Sequence, residues 1–200
     1  MNKIITIGRE FGSGGRELGR RLSEALGIAY YDQEIISEIV KRTSLSKEYV
    51  QAIEEHRPVI SFPIHIGRSF YPALDPVFEQ NMAVYQEQAK VIEEMAAKSD
   101  CVIVGRCADY VLREQNPFRL FVYADMESKM KRCRAKGPED EKLTDRELRQ
   151  KIQGIDKKRA KYYEFYTGNK WGDKLNFDLC VNTTQTQIKE IVPALAKLLG

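Results

Sequence analysis

Apolar residues along this chain fall into short dense runs, separated by stretches with helical spacing, as expected of strands alternating with helices. Lys3–Gly8 (KIITIG) is a β-branched run ending in glycine. Glu17–Leu26 carries Leu18, Leu22, Ala25 and Leu26 as a helical stripe, with Gly27 as its stop. Ala29–Asp32 (AYYD) reads as a second short strand, followed by a helix with Ile35, Ile36, Ile39 and Val40 on one face. Phe78–Ala97 is a long helix. Cys101–Gly105 (CVIVG), Arg119–Ala124 (RLFVYA) and Asp178–Asn182 (DLCVN) are three further runs of strand length. Runs apolar on both faces suit buried parallel strands. Five strands interleaved with helices predict a three-layer α/β/α sandwich with right-handed crossovers.

Two stretches depart from this plan. From Pro58 to Pro76 no period is visible, and Pro63 and Pro72 interrupt the chain further, so a loop or insertion is expected. Asp140–Lys161 is densely charged, with weak apolar spacing at Leu143, Leu148 and Ile152. It reads either as a helical flap or as a plain solvated helix.

Composition narrows the function. Two hundred residues suit one domain with a continuous core. With 32 basic and 29 acidic side chains the net charge of +3 gives no ground for a nucleic-acid partner. Phosphate esters become natural ligands if the basic groups gather in one cleft. Cys101, Cys107, Cys133 and Cys180 form no C-x-x-C pair, and only His56 and His65 could join them, so no protein-held metal is expected. The N-terminus shows no secretory pattern and no apolar run reaches the ~18 residues of a membrane span. A cytoplasmic protein without a membrane partner is expected; its oligomeric state is left open.

The chemistry concentrates between the first strand and the first helix. Gly8-Arg-Glu-Phe-Gly-Ser-Gly-Gly-Arg16 holds four glycines in eight residues, Gly8 to Gly15. Glycine permits positive φ and close approach of backbone N–H groups to a ligand, and the helix beginning near Arg16 turns its positive end into the loop. The pattern G-x-x-x-x-G-K-[ST] is met imperfectly: aligned on Gly12 and Gly14, the lysine position holds Gly15 and the next holds Arg16. Arg16 or Arg9 is the candidate replacement cation, and Ser13 offers a hydroxyl; the alternative is that both arginines pair with carboxylates such as Glu10 and Glu17.

Four segments together resemble the cytidylate kinase-like proteins, a divergent branch of the P-loop nucleoside monophosphate kinases: GREFGSGGRELG at 8–19, YYDQEII at 30–36, VGRCADYVL at 104–112 and DKKRAKYYEFYTGNKWGD at 156–173. The resemblance covers nearly the whole chain. It implies a single P-loop NTPase-like domain, an acceptor-side helical region at about 33–75, and a mobile lid at about 132–165. It also implies ATP with Mg2+ as phosphoryl donor and a nucleotide acceptor, CMP or dCMP first. On this resemblance Gly12, Ser13, Gly14, Gly15, Arg16 and Glu17 would hold the donor; Arg16, Arg132 and Arg159 would act in catalysis; and Asp32, Arg106, Asp109 and Asp156 would face the acceptor. Asp32 has a second reading as N-cap of the helix at Gln33. In the family's glycine-arginine-aspartate motif the aspartate follows directly, whereas Cys107 and Ala108 here displace Asp109 by two residues. Asp156-Lys-Lys-Arg159 matches the lid signature D-x-x-R, but Ile152 stands where a second lid arginine is expected. Tyr162, Tyr163, Phe165, Tyr166 and Trp171 are expected to pack the lid rather than bind a base. The competing functions are a non-catalytic nucleotide-binding protein, favoured by the missing loop lysine, and a kinase for another small acceptor.

Overall fold

The computed structural model describes residues 2–43, 45–53, 76–137 and 143–200. Most of the proline-interrupted stretch, 58–75, lies outside them, as do residues 138–142 at the head of the charged segment. Five strands, β1 (Ile4–Arg9), β2 (Ala29–Tyr31), β3 (Cys101–Val104), β4 (Phe118–Tyr123) and β5 (Leu179–Asn182), form one parallel sheet in the order β2-β3-β1-β4-β5. Register is set by apolar runs lying side by side: Ile4 opposes Cys101, Ile7 opposes Val104, and Leu120 opposes both Ile7 and Leu179.

Alternation within each strand builds two cores. On one face Ile5, Ile7, Val102, Val104, Leu120 and Val122 pack with Leu18 and Leu22 of α1 (Gly15–Leu26) and with Ile188, Val192 and Leu195 of α8 (Ile188–Leu199). On the other face Ile4, Cys101 and Ile103 pack with side chains from five helices. These are Ile35, Ile36 and Ile39 of α2 (Gln33–Thr43), Val50 of α3 (Lys47–Ile53), Val91 and Ile92 of α4 (Pro76–Lys98), Ala108 of α5 (Ala108–Val111), and Tyr162 and Tyr163 of α7 (Asp145–Thr167). Helix α3 lies beside α2, α6 (Met126–Lys136) leaves the end of β4, and two short 3-10 turns, Arg113–Gln115 and Lys174–Asn176, complete the described elements. This is the predicted three-layer α/β/α sandwich.

The charged segment is better anchored than a solvated helix would be. Thr144 and Glu147 form a reciprocal capping box that starts α7, and Leu148 and Ile152 are buried along its first half. The same helix continues without a break into the aromatic cluster, where Tyr166 stacks on Tyr85 of α4 with ring centroids 3.9 Å apart. Among the described residues no helix is long and apolar enough to cross a membrane.

The loops after β1 and β3 turn to opposite faces, because α1 lies in one helical layer and α5 in the other. Neighbouring strands whose connections diverge open a crevice at the carboxyl edge of a parallel sheet. That crevice receives Arg9, Asp32 and Arg106, each at or just past the end of its strand.

Candidate functional site

The β1–α1 loop has the geometry of an anion cradle. Gly14 takes φ 86° as the residue preceding α1, and Gly12 takes φ 75°, both in the region glycine alone enters without strain. The amides of the first turn of α1 find no acceptor within the helix and face the loop. Ser13 holds the loop closed from inside. Its hydroxyl is fully buried and donates to the Glu10 carbonyl at 2.8 Å, while the Thr183 hydroxyl donates to the Ser13 carbonyl at 2.7 Å.

A buried ion cluster supports the loop from below. Lys129 of α6 places its ammonium 3.1 Å from Glu10 Oε2 and 2.6 Å from Asp156 Oδ2. The other oxygen of Asp156 accepts the Phe11 N–H at 2.7 Å. Burial opposes the charge on Lys129, but the Asp156 and Glu10 carboxylates outweigh it and hold the ammonium above its ordinary range. Asp156 therefore ties α7 and α6 to the loop with both oxygens.

The remaining cations ring the loop. Arg16 turns towards β2, where its Nε lies 2.6 Å from the buried carboxylate of Asp32. Glu17 is paired with Lys136 and with Arg21, and these hydrogen bonds, Lys136 foremost, hold its carboxyl below the usual range. Arg132 donates to the Gly12 carbonyl at 3.5 Å and to the Thr183 carbonyl. Arg159 donates to the Arg9 carbonyl at 3.4 Å and sits over the Phe11 ring, 5.6 Å from its centroid.

Two cavities meet at this point. The larger, about 850 Å³, runs along the loop, and its wall carries eight arginines and lysines against the three carboxylates Glu10, Glu17 and Asp32. The smaller, about 280 Å³, lies beyond the end of β3 and is lined by Gln33, Arg106, Asp109, Tyr162, Tyr163 and Trp171, among others. Arg9, Phe11, Arg16 and Arg159 line both, and so form the partition between them. Gly105, Arg106 and Cys107 all have positive φ, of 78°, 61° and 54°, and for the two side-chain-bearing residues this is strained backbone of the kind found at functional sites. Tyr163 donates to Asp109 at 2.6 Å; burial pushes the Asp109 carboxyl up, partly offset by that bond.

The structure thus brings all twelve residues singled out from the sequence to one edge of the sheet. Gly12, Gly14, Arg16, Glu17, Arg132 and Arg159 line the larger cavity, together with Asp32; Arg106 and Asp109 line the smaller. Ser13 and Asp156 have their side-chain oxygens engaged within the protein, and Gly15 opens α1. Asp32 joins Arg16 in an ion pair, a link between the two sides that spacing alone did not show. Lys129 was missed, and no local signal marks it: a lysine in MESKMKRCRAK looks solvated until the fold closes two distant carboxylates on it.

A five-stranded parallel sheet in this order, with a glycine-rich loop between the central strand and its helix, is the fold of the P-loop kinases. The chain belongs to the cytidylate kinase-like family, whose family model matches residues 4–185. It is similar over 98% of both chains to an uncharacterized protein from Eubacterium ventriosum ATCC 27560, at 25% identity and a TM-score of 0.71. Shikimate kinase from Bacteroides thetaiotaomicron shares the fold at 16% identity and a TM-score of 0.59, over 100% of this chain and 99% of that one. Shikimate kinase from Acinetobacter baumannii, in complex with shikimate, shares it at 16% identity and 0.54, over 99% and 92%. No curated protein matches the chain.

Proposed function

We propose that this protein is an ATP-dependent phosphotransferase acting on a nucleoside monophosphate, with CMP or dCMP as the first candidate acceptor. The observation that carries the reading is the pair of cavities meeting at a partition of three arginines and Phe11, with the glycine loop on one side. Family membership and fold support the reaction class. Bound ATP would supply the phosphoryl group, with Mg2+ screening its charge. The loop and larger cavity fit such a group: first-turn amides of α1 and the guanidinium of Arg132 would hold phosphate oxygens.

The chain's own part is binding and orientation. Asp32 fixes Arg16 within the partition, and Arg106 offers a buried cation to an acceptor phosphate. Arg159, steered by the Arg9 carbonyl, stands where charge develops on the moving group. An ionised phosphate acceptor needs no general base. Purified protein should release ADP from MgATP faster when CMP or dCMP is added than with UMP, AMP or GMP. Equal ADP release with and without every monophosphate would remove the transferase reading. ADP binding measured alone by calorimetry would then decide for the non-catalytic nucleotide-binding alternative.

A further inference from the structure

The loop lysine of P-loop kinases follows the β and γ phosphates, and this chain has glycine in its place. We propose that Arg9, the last residue of β1, does that work, with its guanidinium contacting the phosphoryl group as it passes between the cavities. The proposal rests on the phosphotransferase reading above.

The first argument is steric. Gly15 has room for no side chain: a β carbon there would stand 2.6 Å from Arg9 Cβ, 3.2 Å from Arg9 Cγ and 3.3 Å from Val122 Cβ. The stem of Arg9 fills the space that a lysine at this position would need, so the arginine and the glycine form a matched pair. The second is direction. The guanidinium lies against Gly105 in the crevice between β1 and β3, where a β carbon on Gly105 would overlap it. Gly15 is thus explained by the stem of Arg9, whereas Gly105 is required by its own φ of 78° and leaves the guanidinium space beside it. Third, Arg9 borders both cavities, and the Arg159 guanidinium donates to its backbone carbonyl, which ties the lid helix to its position. Arg16, the other cation near the missing position, is turned aside by Asp32 and mostly exposed.

The chemistry asks for a cation at this place. In the transfer the bond from the γ phosphorus to the β–γ bridging oxygen breaks, leaving its electron pair on ADP. A bond from an acceptor oxygen to that phosphorus forms. Charge shifts between bridging and equatorial oxygens, and a guanidinium can meet two of them at once.

Arg9→Met keeps the stem over Gly15 and removes the guanidinium. Calorimetry with Mg2+ and either β,γ-imido-ATP or ADP separates a γ-phosphate contact from general loop integrity. The variant should weaken imido-ATP by about tenfold or more while ADP stays within about twofold. Its kcat on the best acceptor should fall by about 100-fold. In Arg9→Gly combined with Gly15→Lys, the β carbon that a side chain at 15 would strike is gone, a lysine replaces the guanidinium from the opposite side, and much of the imido-ATP preference should return. The double variant also serves if Arg9→Met does not fold. Equal weakening of both nucleotides, or no weakening, overturns the assignment. Wild-type protein that turns over no acceptor would instead count against the phosphotransferase reading, and the imido-ATP contrast would still judge Arg9.

Discussion

Asp109 sits at the back of the smaller cavity, where burial raises its carboxyl pKa and the Tyr163 hydroxyl offsets only part of the cost. Folding then favours the protonated acid. Its contribution to stability is complete below the ordinary carboxylate range and is lost as pH rises through the raised value. Asp109→Asn fixes the side chain neutral and keeps an acceptor for Tyr163. Urea unfolding should show the stability difference, wild type minus variant, falling as pH rises above the ordinary carboxylate range; a difference independent of pH would contradict the raised pKa. At this scale the sequence was informative where chemistry is local. Glycine density marked the loop because nothing but glycine enters its conformation cheaply. The direction of Arg16 was not readable, since Asp32, sixteen residues on, decides it through the fold. The bond from Tyr163 to Asp109 closes over 54 residues and was equally hidden.

Among the elements, α7 shows how pattern reading runs out. Its first half is so charged that only Leu148 and Ile152 betray a buried side, and its second half is so aromatic that it reads as a separate cluster. One capping box and one unbroken hydrogen-bonded helix join them. The strands were legible because each is a short apolar run, with β1, β3 and β4 buried on both faces; the helix α6 was not, because its sequence lacks an apolar stripe and it is held by ions instead. That gives a sharp expectation. Lys129→Met leaves the carboxylates of Glu10 and Asp156 close together without their cation, and should cost about 2–4 kcal/mol in urea unfolding, somewhat under the usual range for buried pairs because both carboxylates retain some solvent. Adding Asp156→Asn should return part of the loss, because it removes one of the two stranded charges. A double variant no more stable than the single one would mean that the cluster acts through packing and not charge.

For the molecule as a whole, the parallel sheet gathers every strand end on one edge, so residues far apart in sequence share one crevice. The three-layer plan followed from the alternation of apolar runs; the division of the crevice into two compartments did not, because it depends on where four side chains from β1, the loop, α1 and α7 come to rest. Helix α7 borders both compartments: Leu148 and Lys151 face the larger, Tyr162 and Tyr163 the smaller, and Arg159 stands between. A single stiff rod touching two chambers makes their occupants thermodynamic neighbours. Whatever placement of the rod one ligand prefers, the other must accept or resist, and linkage requires the effect to be mutual. ADP should alter the dissociation constant of CMP by the same factor that CMP alters that of ADP, measurable by calorimetry in both orders of addition. Factors of one in both orders would mean that the rod does not transmit, and that the two chambers fill as strangers.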